Sequence, residues 1–223
     1  MVGQFERLDV EGLDVQGDLQ AKLNHSVATG SIEDIRFLLQ FGARVNERDA
    51  SGKTAIYVAA ESGRDSVITF LASSEWGASV NIPATLRGGT KEEDNWSPLF
   101  VAAREGNLRC VKALITARAD VNFQNTIWGS TPVNIAAQRG HVDVIRTLSE
   151  NGADLNRAFH GGESPLYTAA YNNRVEVIEA LLELYGSERR EIVNYVTKKG
   201  FTALHAAALQ GHPKCIRALI KLT

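Results

Sequence analysis

The sequence predicts an all-α repeat solenoid, and three observations lead to that prediction. A block of small apolar residues closing on Gly or Asn recurs along the 223 residues, starting at positions 21, 54, 97, 131, 164 and 202. The basic spacing of these starts is 33 residues, with additions of ten, one and five. Each block is followed by apolar residues at helical spacing, such as Val67, Ile68 and Leu71. Self-similarity at a fixed period of about 20 to 50 residues is typical of stacked repeat arrays.

The first helix of each unit has recognisable start and stop signals. Thr131 precedes Pro132, so its hydroxyl can cap free backbone N–H groups while Pro occupies the first helical position. An alanine pair then lets neighbouring helices approach closely. Gly140 ends this helix, because glycine adopts a positive φ at little cost. The other blocks repeat this order with small variations.

The second helix follows a short turn, and Val111, Leu114 and Ile115 place apolar side chains on one of its faces. A polar loop ending in Asn closes each of the first five units. One unit cannot bury its apolar face alone, whereas stacked units can. Extra residues near 185–191 predict a helical extension. The predicted organisation is an N-terminal arm or cap over residues 1–20 and repeat units over about 16–48, 49–91, 92–125, 126–158, 159–196 and 197–223.

Two copies of the motif are the most complete. Gly-Phe-Thr-Ala-Leu-His at 200–205 precedes Gly-His at 211–212, and Gly-Ser-Thr-Pro at 129–132 precedes Gly-His at 140–141. This pattern resembles the ankyrin repeat family over about residues 16–223. Arg118 and Asn173 stand where that family has Gly, and the first copy lacks Thr-Pro. The resemblance implies helix-turn-helix units joined by β-turn or hairpin loops, which bind proteins through their turn tips and inner helix groove.

Composition fits a soluble fold, with 44% hydrophobic and 22% charged residues. A formal net charge of −2 gives no overall field for nucleic acid. No apolar run approaches the roughly 18 residues of a transmembrane helix, and the start lacks a secretory signal pattern. We therefore expect an intracellular protein, cytoplasmic or nuclear with an organelle left open. Its partner would be another protein, with no nucleic acid, membrane insertion or small-molecule substrate.

Residues that could suggest a catalytic or metal site occupy positions that the repeat pattern already explains. Residues 51–54 read Ser-Gly-Lys-Thr, like the end of a phosphate-binding loop, but Glu47 stands where that motif requires Gly. His205, His212 and Cys215 suggest a metal only superficially, since both His residues occupy repeat consensus positions. We predict no enzyme activity, catalytic residue, cofactor or metal. An enzyme or nucleotide-binding protein is the remote alternative.

The candidate binding surface consists of aromatic and apolar residues at turn tips and groove walls, where polar residues are usual. Aromatic side chains are enriched in interface hot spots. In the alternative interpretation, some of these side chains fold back onto neighbouring turns and only stabilise the hairpins. The predicted contacts are Trp96, Trp128, Phe159, His160, Tyr171, Phe201 and Leu209.

A long insertion at 82–94 is a secondary candidate site, because loops often carry function. A neutral insertion, which surface loops tolerate at little cost, is the alternative. The insertion also supports a second function: an architectural subunit held permanently in a larger complex through this loop and the array ends. The candidate residues of the loop are Arg87, Lys91, Glu92, Glu93 and Asp94.

The family resemblance implies one modification. Ankyrin repeats are often substrates of asparaginyl hydroxylases, which favour Leu eight residues before the Asn and an acid two before it. Asn122, with Leu114 and Asp120, fits that pattern. Asn156, preceded by Asp154, fits it as well.

Overall fold

In the computed structural model, which describes residues 15–85 and 95–221, helices pair along the chain. No β-strand occurs within these two ranges. The all-α repeat solenoid predicted from the sequence is therefore confirmed. The helices are α1 (Val15–Thr29), α2 (Ile32–Gln40), α3 (Ala55–Glu61), α4 (Asp65–Leu71), α5 (Pro98–Glu105), α6 (Leu108–Thr116), α7 (Pro132–Arg139), α8 (Val142–Glu150), α9 (Pro165–Tyr171), α10 (Val175–Tyr185), α11 (Arg189–Val193), α12 (Ala203–Leu209) and α13 (Pro213–Lys221).

The helices form two layers. In the inner layer, α1, α3, α5, α7, α9 and α12 each contact the next in turn. In the outer layer, α4, α6, α8, α10 and α13 do the same. The alanine pairs account for the close inner packing, since Ala102, Ala103, Ala136 and Ala137 are completely buried. Stacking of like units therefore supplies a continuous core, as expected of a solenoid.

Helix starts follow the predicted chemistry. The hydroxyl of Thr131 accepts a hydrogen bond from the backbone N–H of Asn134 at 3.3 Å, and Ser97 accepts one from Phe100 at 3.1 Å. Gly140 ends α7 with a φ of 96°. Local capping residues thus fix where the inner helices α3, α5, α7, α9 and α12 begin, and so where their side chains face.

The array departs from its period in three places. Residues 15–20 of the predicted arm or cap belong to α1, which runs for 15 residues; residues 1–14 lie outside the described ranges. The extension predicted near 185–191 is confirmed as a 3-10 turn at Gly186–Glu188 followed by α11. The long insertion falls largely in 86–94, between the described ranges.

Turn tips are joined to one another by the backbone. The N–H of His160 donates to the Trp128 carbonyl at 2.8 Å, and the N–H of Lys198 donates to the Gly161 carbonyl at 3.0 Å. At the insertion, the N–H of Ala84 donates to the Trp96 carbonyl at 2.9 Å, and the N–H of Asn95 donates to the Ala84 carbonyl at the same distance. Backbone hydrogen bonds therefore join the tips of the fourth, fifth and sixth units to one another.

Candidate partner-binding groove

Three positions recur on the inner helix, or immediately before its cap, in each unit from the second to the sixth. They are the residue before the capping Thr or Ser, the third residue after the cap and the seventh after it. The last two are four residues apart on one helix, so their side chains share a face. We call each set an inner trio; from the second to the sixth unit they are Lys53/Tyr57/Glu61, Trp96/Phe100/Arg104, Ser130/Asn134/Gln138, Glu163/Tyr167/Tyr171 and Phe201/His205/Leu209.

The inner trio of the second unit is internally neutralised. The Lys53 Nζ lies 2.7 Å from the Glu61 Oε2 and 5.6 Å from the centroid of the Tyr57 ring. The ammonium group is thus paired with a carboxylate and lies near an aromatic face. This unit offers a partner no unpaired charge at its inner trio.

The inner trio of the third unit is closed by Trp96, which corrects one sequence expectation. Trp96 is only 9% exposed. Its ring lies 5.0 Å from that of Phe100, and the Arg104 Cζ covers it at 4.6 Å. The expectation of an exposed Trp96 contact is therefore wrong. Because Trp96 immediately precedes the cap, its ring reaches the first turn of its own helix and stabilises it, as in the fold-back interpretation.

A groove of about 520 Å³ opens between the fourth and fifth units. It brings together three predicted contacts: Trp128, Phe159 and Tyr171. Trp128 is 50% exposed and Tyr171 is 47% exposed. The Tyr171 ring stacks on that of Tyr167, with centroids 6.4 Å apart and planes inclined by 15°. The remaining lining residues are Gln138, Gly161, Glu163, Thr168 and Asn172.

Glu163 sets the electrostatics of this groove. Among the described residues that line it, Glu163 is the one charged side chain. Its carboxylate lies over Gly161, where an added Cβ would collide with it. Burial raises the pKa of Tyr167, and the charges of Glu163 and Tyr171 raise it further. The groove is therefore aromatic and carries one negative charge.

Two short contacts hold the rim of the groove in place. The His160 Nε2 lies 3.3 Å from the Thr126 carbonyl oxygen. The His160 ring also fills the space that a Cβ on Gly129 would need, at 2.8 Å. His160, predicted as a direct contact, thus packs against the tip that carries Trp128 and is not among the groove-lining residues.

The other predicted contacts lie in the sixth unit. Phe201 packs edge-on against His205, with ring centroids 5.9 Å apart, and is 36% exposed. Leu209 is 67% exposed. Neither lines the groove, so the predicted stripe is divided into a groove and a separate apolar surface.

Sequence reasoning did not include Tyr167 and Glu163 among the candidate site residues, although both line the groove. The spacing between Tyr167 and Tyr171 was a readable signal, because residues four apart on a helix are neighbours. Glu163 could be connected to them only by comparing trios across units. The secondary candidate residues Arg87, Lys91, Glu92, Glu93 and Asp94 lie outside the described residues.

Metal-ligating groups do not gather in the described ranges: no cluster of three or more His, Cys, Asp or Glu side chains there could hold an ion. His205 caps α12 through Thr202, and the His212 Nε2 lies 3.1 Å from the Tyr171 carbonyl oxygen. The Cys215 thiol faces the Asn173 Oδ1 at 3.5 Å. None of the helices in these ranges has the length and apolar character needed to cross a bilayer.

The two Asn residues of the hydroxylation pattern differ in their surroundings. The Asn122 Nδ2 donates to the Gly152 carbonyl at 3.1 Å. Asn156 is exposed, and its backbone N–H donates to the Asp154 carboxylate at 2.9 Å. Hydroxylation of these two residues stays a prediction.

Comparison with known proteins gives several partial matches. The chain is 34% identical over 123 residues to E3 ubiquitin-protein ligase XBAT33 of Arabidopsis thaliana, covering 55% of the chain and 23% of that protein. It is 29% identical over 160 residues to the nuclear factor NF-kappa-B p105 subunit of Gallus gallus, covering 71% and 16%. It is 39% identical over 92 residues to ankyrin repeat and SOCS box protein 3 of Homo sapiens, covering 40% and 17%.

The chain thus spans less than a quarter of the length of each of these relatives. A family model described as ankyrin repeats, in three copies, matches residues 9–84, 86–159 and 157–223. These matches cover nearly the whole chain and agree with the stacked helix pairs. The chain belongs to the ankyrin repeat family.

Proposed function

We propose that this chain binds another protein through the groove between its fourth and fifth units, as an adaptor, assembly factor or inhibitory subunit. Ankyrin repeats are protein-interaction modules. The specific proposal rests on the concave surface between Trp128 and Tyr171. Both of these side chains are half exposed. Large aromatic side chains that remain half exposed are the type most often found as interface anchors.

Rigid presentation supports this location. Tyr171 is fixed by stacking on Tyr167, and the Trp128 tip is tied to the next tip through His160. Ordering an interface side chain opposes binding by about 0.5 to 1.5 kcal/mol. Anchors that are already ordered avoid much of that loss. A preorganised groove of this kind suits specific recognition.

The similar proteins support an adaptor role. Each carries the matched region within a much longer chain, and one is named an E3 ubiquitin-protein ligase. We infer that the repeat region presents a partner to other parts of an assembly. The reaction, if one follows, then belongs to those other parts.

A paired-variant capture experiment tests the proposal. Wild type and the double variant Trp128→Ala, Tyr171→Ala would serve as baits in a native lysate, with bound proteins identified by mass spectrometry. The matched control is Phe37→Ala, Phe41→Ala, which removes another exposed stacked pair, on and just after α2. Circular dichroism and urea unfolding would check that each bait is folded.

We expect a partner that binds wild type and the control but not the groove variant. With that partner purified, the groove variant should bind at least about 30-fold more weakly. A partner retained by the groove variant and lost by the control would contradict the proposal.

An architectural subunit is the second candidate function. The observation favouring it is the set of exposed apolar side chains in and near the last unit, including Val196 at 51% and Leu209 at 67%. Such a surface would be covered permanently in a larger complex. The double variant Val196→Ser, Leu209→Ser should then release the chain from its native complex on size-exclusion chromatography, whereas the groove variant should not.

A further inference from the structure

We infer that the groove receives a cationic side chain, lysine or arginine, from the protein partner. This inference rests on the proposed function and names the chemistry of the partner residue. It comes from comparing the inner trios, which lie at equivalent positions in successive units. Two of them show what the same positions do when the chain supplies its own cation.

In the second unit, the trio contains an aromatic ring, a carboxylate and a cation. The Lys53 Nζ satisfies both neighbours, at 2.7 Å from Glu61 and 5.6 Å from the Tyr57 ring centroid. A cation within about 6 Å of a ring centroid is attracted by the negative face of the ring. The cation of this trio is thus already paired with the carboxylate and the aromatic ring beside it.

In the third unit, the cation also comes from within the trio. The Arg104 Cζ lies 4.6 Å from the Trp96 ring centroid, and its Nε lies 2.6 Å from the Glu105 carboxylate. A guanidinium is thus held between an aromatic face and a carboxylate. The inner surface of this array already accommodates both kinds of cationic side chain beside aromatic rings.

In the fifth unit, the trio has the rings and the carboxylate but no cation. Glu163, Tyr167 and Tyr171 occupy the positions that hold Lys53, Tyr57 and Glu61 in the second unit. The Glu163 carboxylate makes no hydrogen bond or ion pair with any residue in the described part of the chain. The groove lining there includes no basic side chain. A basic side chain from the partner would supply the cation that this trio lacks.

The groove has the shape and composition for such a guest. Trp128 and Phe159 face it from the turn tips, while Tyr167 and Tyr171 face it from α9. A volume of about 520 Å³ leaves room for a long side chain. Tryptophan is the strongest aromatic partner for a cation. A carboxylate guest would instead face Glu163 without compensation, so charge complementarity favours a base.

The test uses small probes that carry only the proposed group. Nα-acetyl-arginine amide and its neutral isostere Nα-acetyl-citrulline amide would be titrated into the full chain. Binding would be followed by NMR through the Trp128 indole N–H signal, assigned with Trp128→Phe. The key variant is Glu163→Gln, and Glu179→Gln on α10 is the matched control, since Glu179 is an exposed carboxylate outside the groove.

We expect the arginine probe to shift the Trp128 signal and the citrulline probe to leave it in place. Glu163→Gln should weaken arginine binding about threefold to fivefold, while Glu179→Gln should leave it unchanged. Tyr171→Ala should weaken binding by a similar factor, whereas Tyr171→Phe, which keeps the ring, should not. Equal shifts by both probes, no shift by either, or indifference to Glu163→Gln would overturn the inference.

The captured partner separates this inference from the function on which it rests. If a partner is lost with Trp128→Ala, Tyr171→Ala but binds Glu163→Gln as well as wild type, groove binding stands and the inference of a cationic guest is wrong. If the partner still binds the aromatic double variant, the proposal of groove binding itself is wrong. The two proposals therefore fail through different variants.

Discussion

The Oδ1 of Asn122 accepts a 2.8 Å hydrogen bond from the backbone N–H of Asp154, in the loop one repeat further along the chain. The same bond joins Asn81 to Asp120 at 2.8 Å and Asn46 to Ser79 at 2.7 Å. The Asn that closes each of these units therefore fastens it to the next one.

We predict that Asn122→Ala lowers the free energy of unfolding by about 1 to 2 kcal/mol, because it removes bonds to two backbone groups. Asn156→Ala should change it by less than about 0.5 kcal/mol, since the Asn156 side chain makes no hydrogen bond within the described residues. Urea denaturation of both variants checks this. Equal losses would show that the junction bonds do not stabilise the array.

Asp49 predicts a pH dependence of stability. Burial raises its pKa, but hydrogen bonds from Ser51, Lys53 and Asn24 outweigh that effect and leave the pKa below its usual value of 3.8. A carboxyl whose pKa is lower in the folded state stabilises the fold above its unfolded-state pKa. That contribution is lost as the pH falls through the folded-state pKa.

Asp49→Asn should therefore destabilise the chain near neutral pH and reduce the loss of stability below about pH 4. Urea unfolding at several pH values would measure both effects. Glu179→Gln serves as the control, because it also removes one carboxylate, from an exposed position on α10. Parallel profiles for wild type and Asp49→Asn would contradict the assignment.

The two tip tryptophans should behave differently on truncation. Trp96 is buried against Phe100, so Trp96→Ala should lower the free energy of unfolding by about 3 to 5 kcal/mol. Trp128 is half exposed, and Trp128→Ala should lower it by less than about 1 kcal/mol. Thermal and urea unfolding would measure the contrast. A larger loss at Trp128 would place that ring inside the fold.

Arg118 and Asn173 adopt positive φ angles of 69° and 58°, at positions where the repeat motif has Gly. A side chain in this conformation is strained by about 1 kcal/mol or more. Arg118→Gly should therefore stabilise the chain by about 1 kcal/mol, while Arg118→Ala should give no gain. Asn173→Gly should gain less, because Asn tolerates this conformation. Differential scanning calorimetry tests the order.

The cysteines should be unreactive in the folded protein. Burial, and next the charge of Asp65, raise the pKa of Cys110 to about 11. Burial, and next Glu176, raise that of Cys215. Because the thiolate is the reactive form, a colorimetric thiol reagent at pH 8 should label neither residue until urea unfolds the chain. Rapid labelling of the native protein would contradict the burial of both groups.

Much of the fold follows from chemistry that is local in sequence. Thr131, Pro132 and Gly140 define the ends of α7 through hydrogen bonding and backbone preference, so their pattern could be read without a structure. Apolar spacing then predicted which face of each helix is buried. These rules act over a few residues and repeat in each unit. A wrong assignment in one unit can therefore be detected by comparison with the others.

The site was harder to predict, because exposure of a tip residue depends on where its side chain reaches. Trp96 stands immediately before its cap and packs onto the first helical turn, whereas Trp128 stands three residues before Thr131 and remains at the surface. The Glu163 carboxylate, which pairs with no cation in the described ranges, becomes informative only when it is compared with the Lys53 and Glu61 pair. Such differences arise from contacts between side chains, which the repeat pattern does not encode.

The backbone hydrogen bonds of Ala84 with Asn95 and Trp96 make this region of the array a suitable place for an inserted segment. Ala84 and Asn95 are hydrogen-bonded to each other, so a segment inserted between them would begin and end at positions that the backbone already fixes. Doubling the length of a flexible loop disfavours its closure by only about 0.6 kcal/mol. A reporter domain or affinity tag grafted there should leave the stacking of the second and third units unchanged.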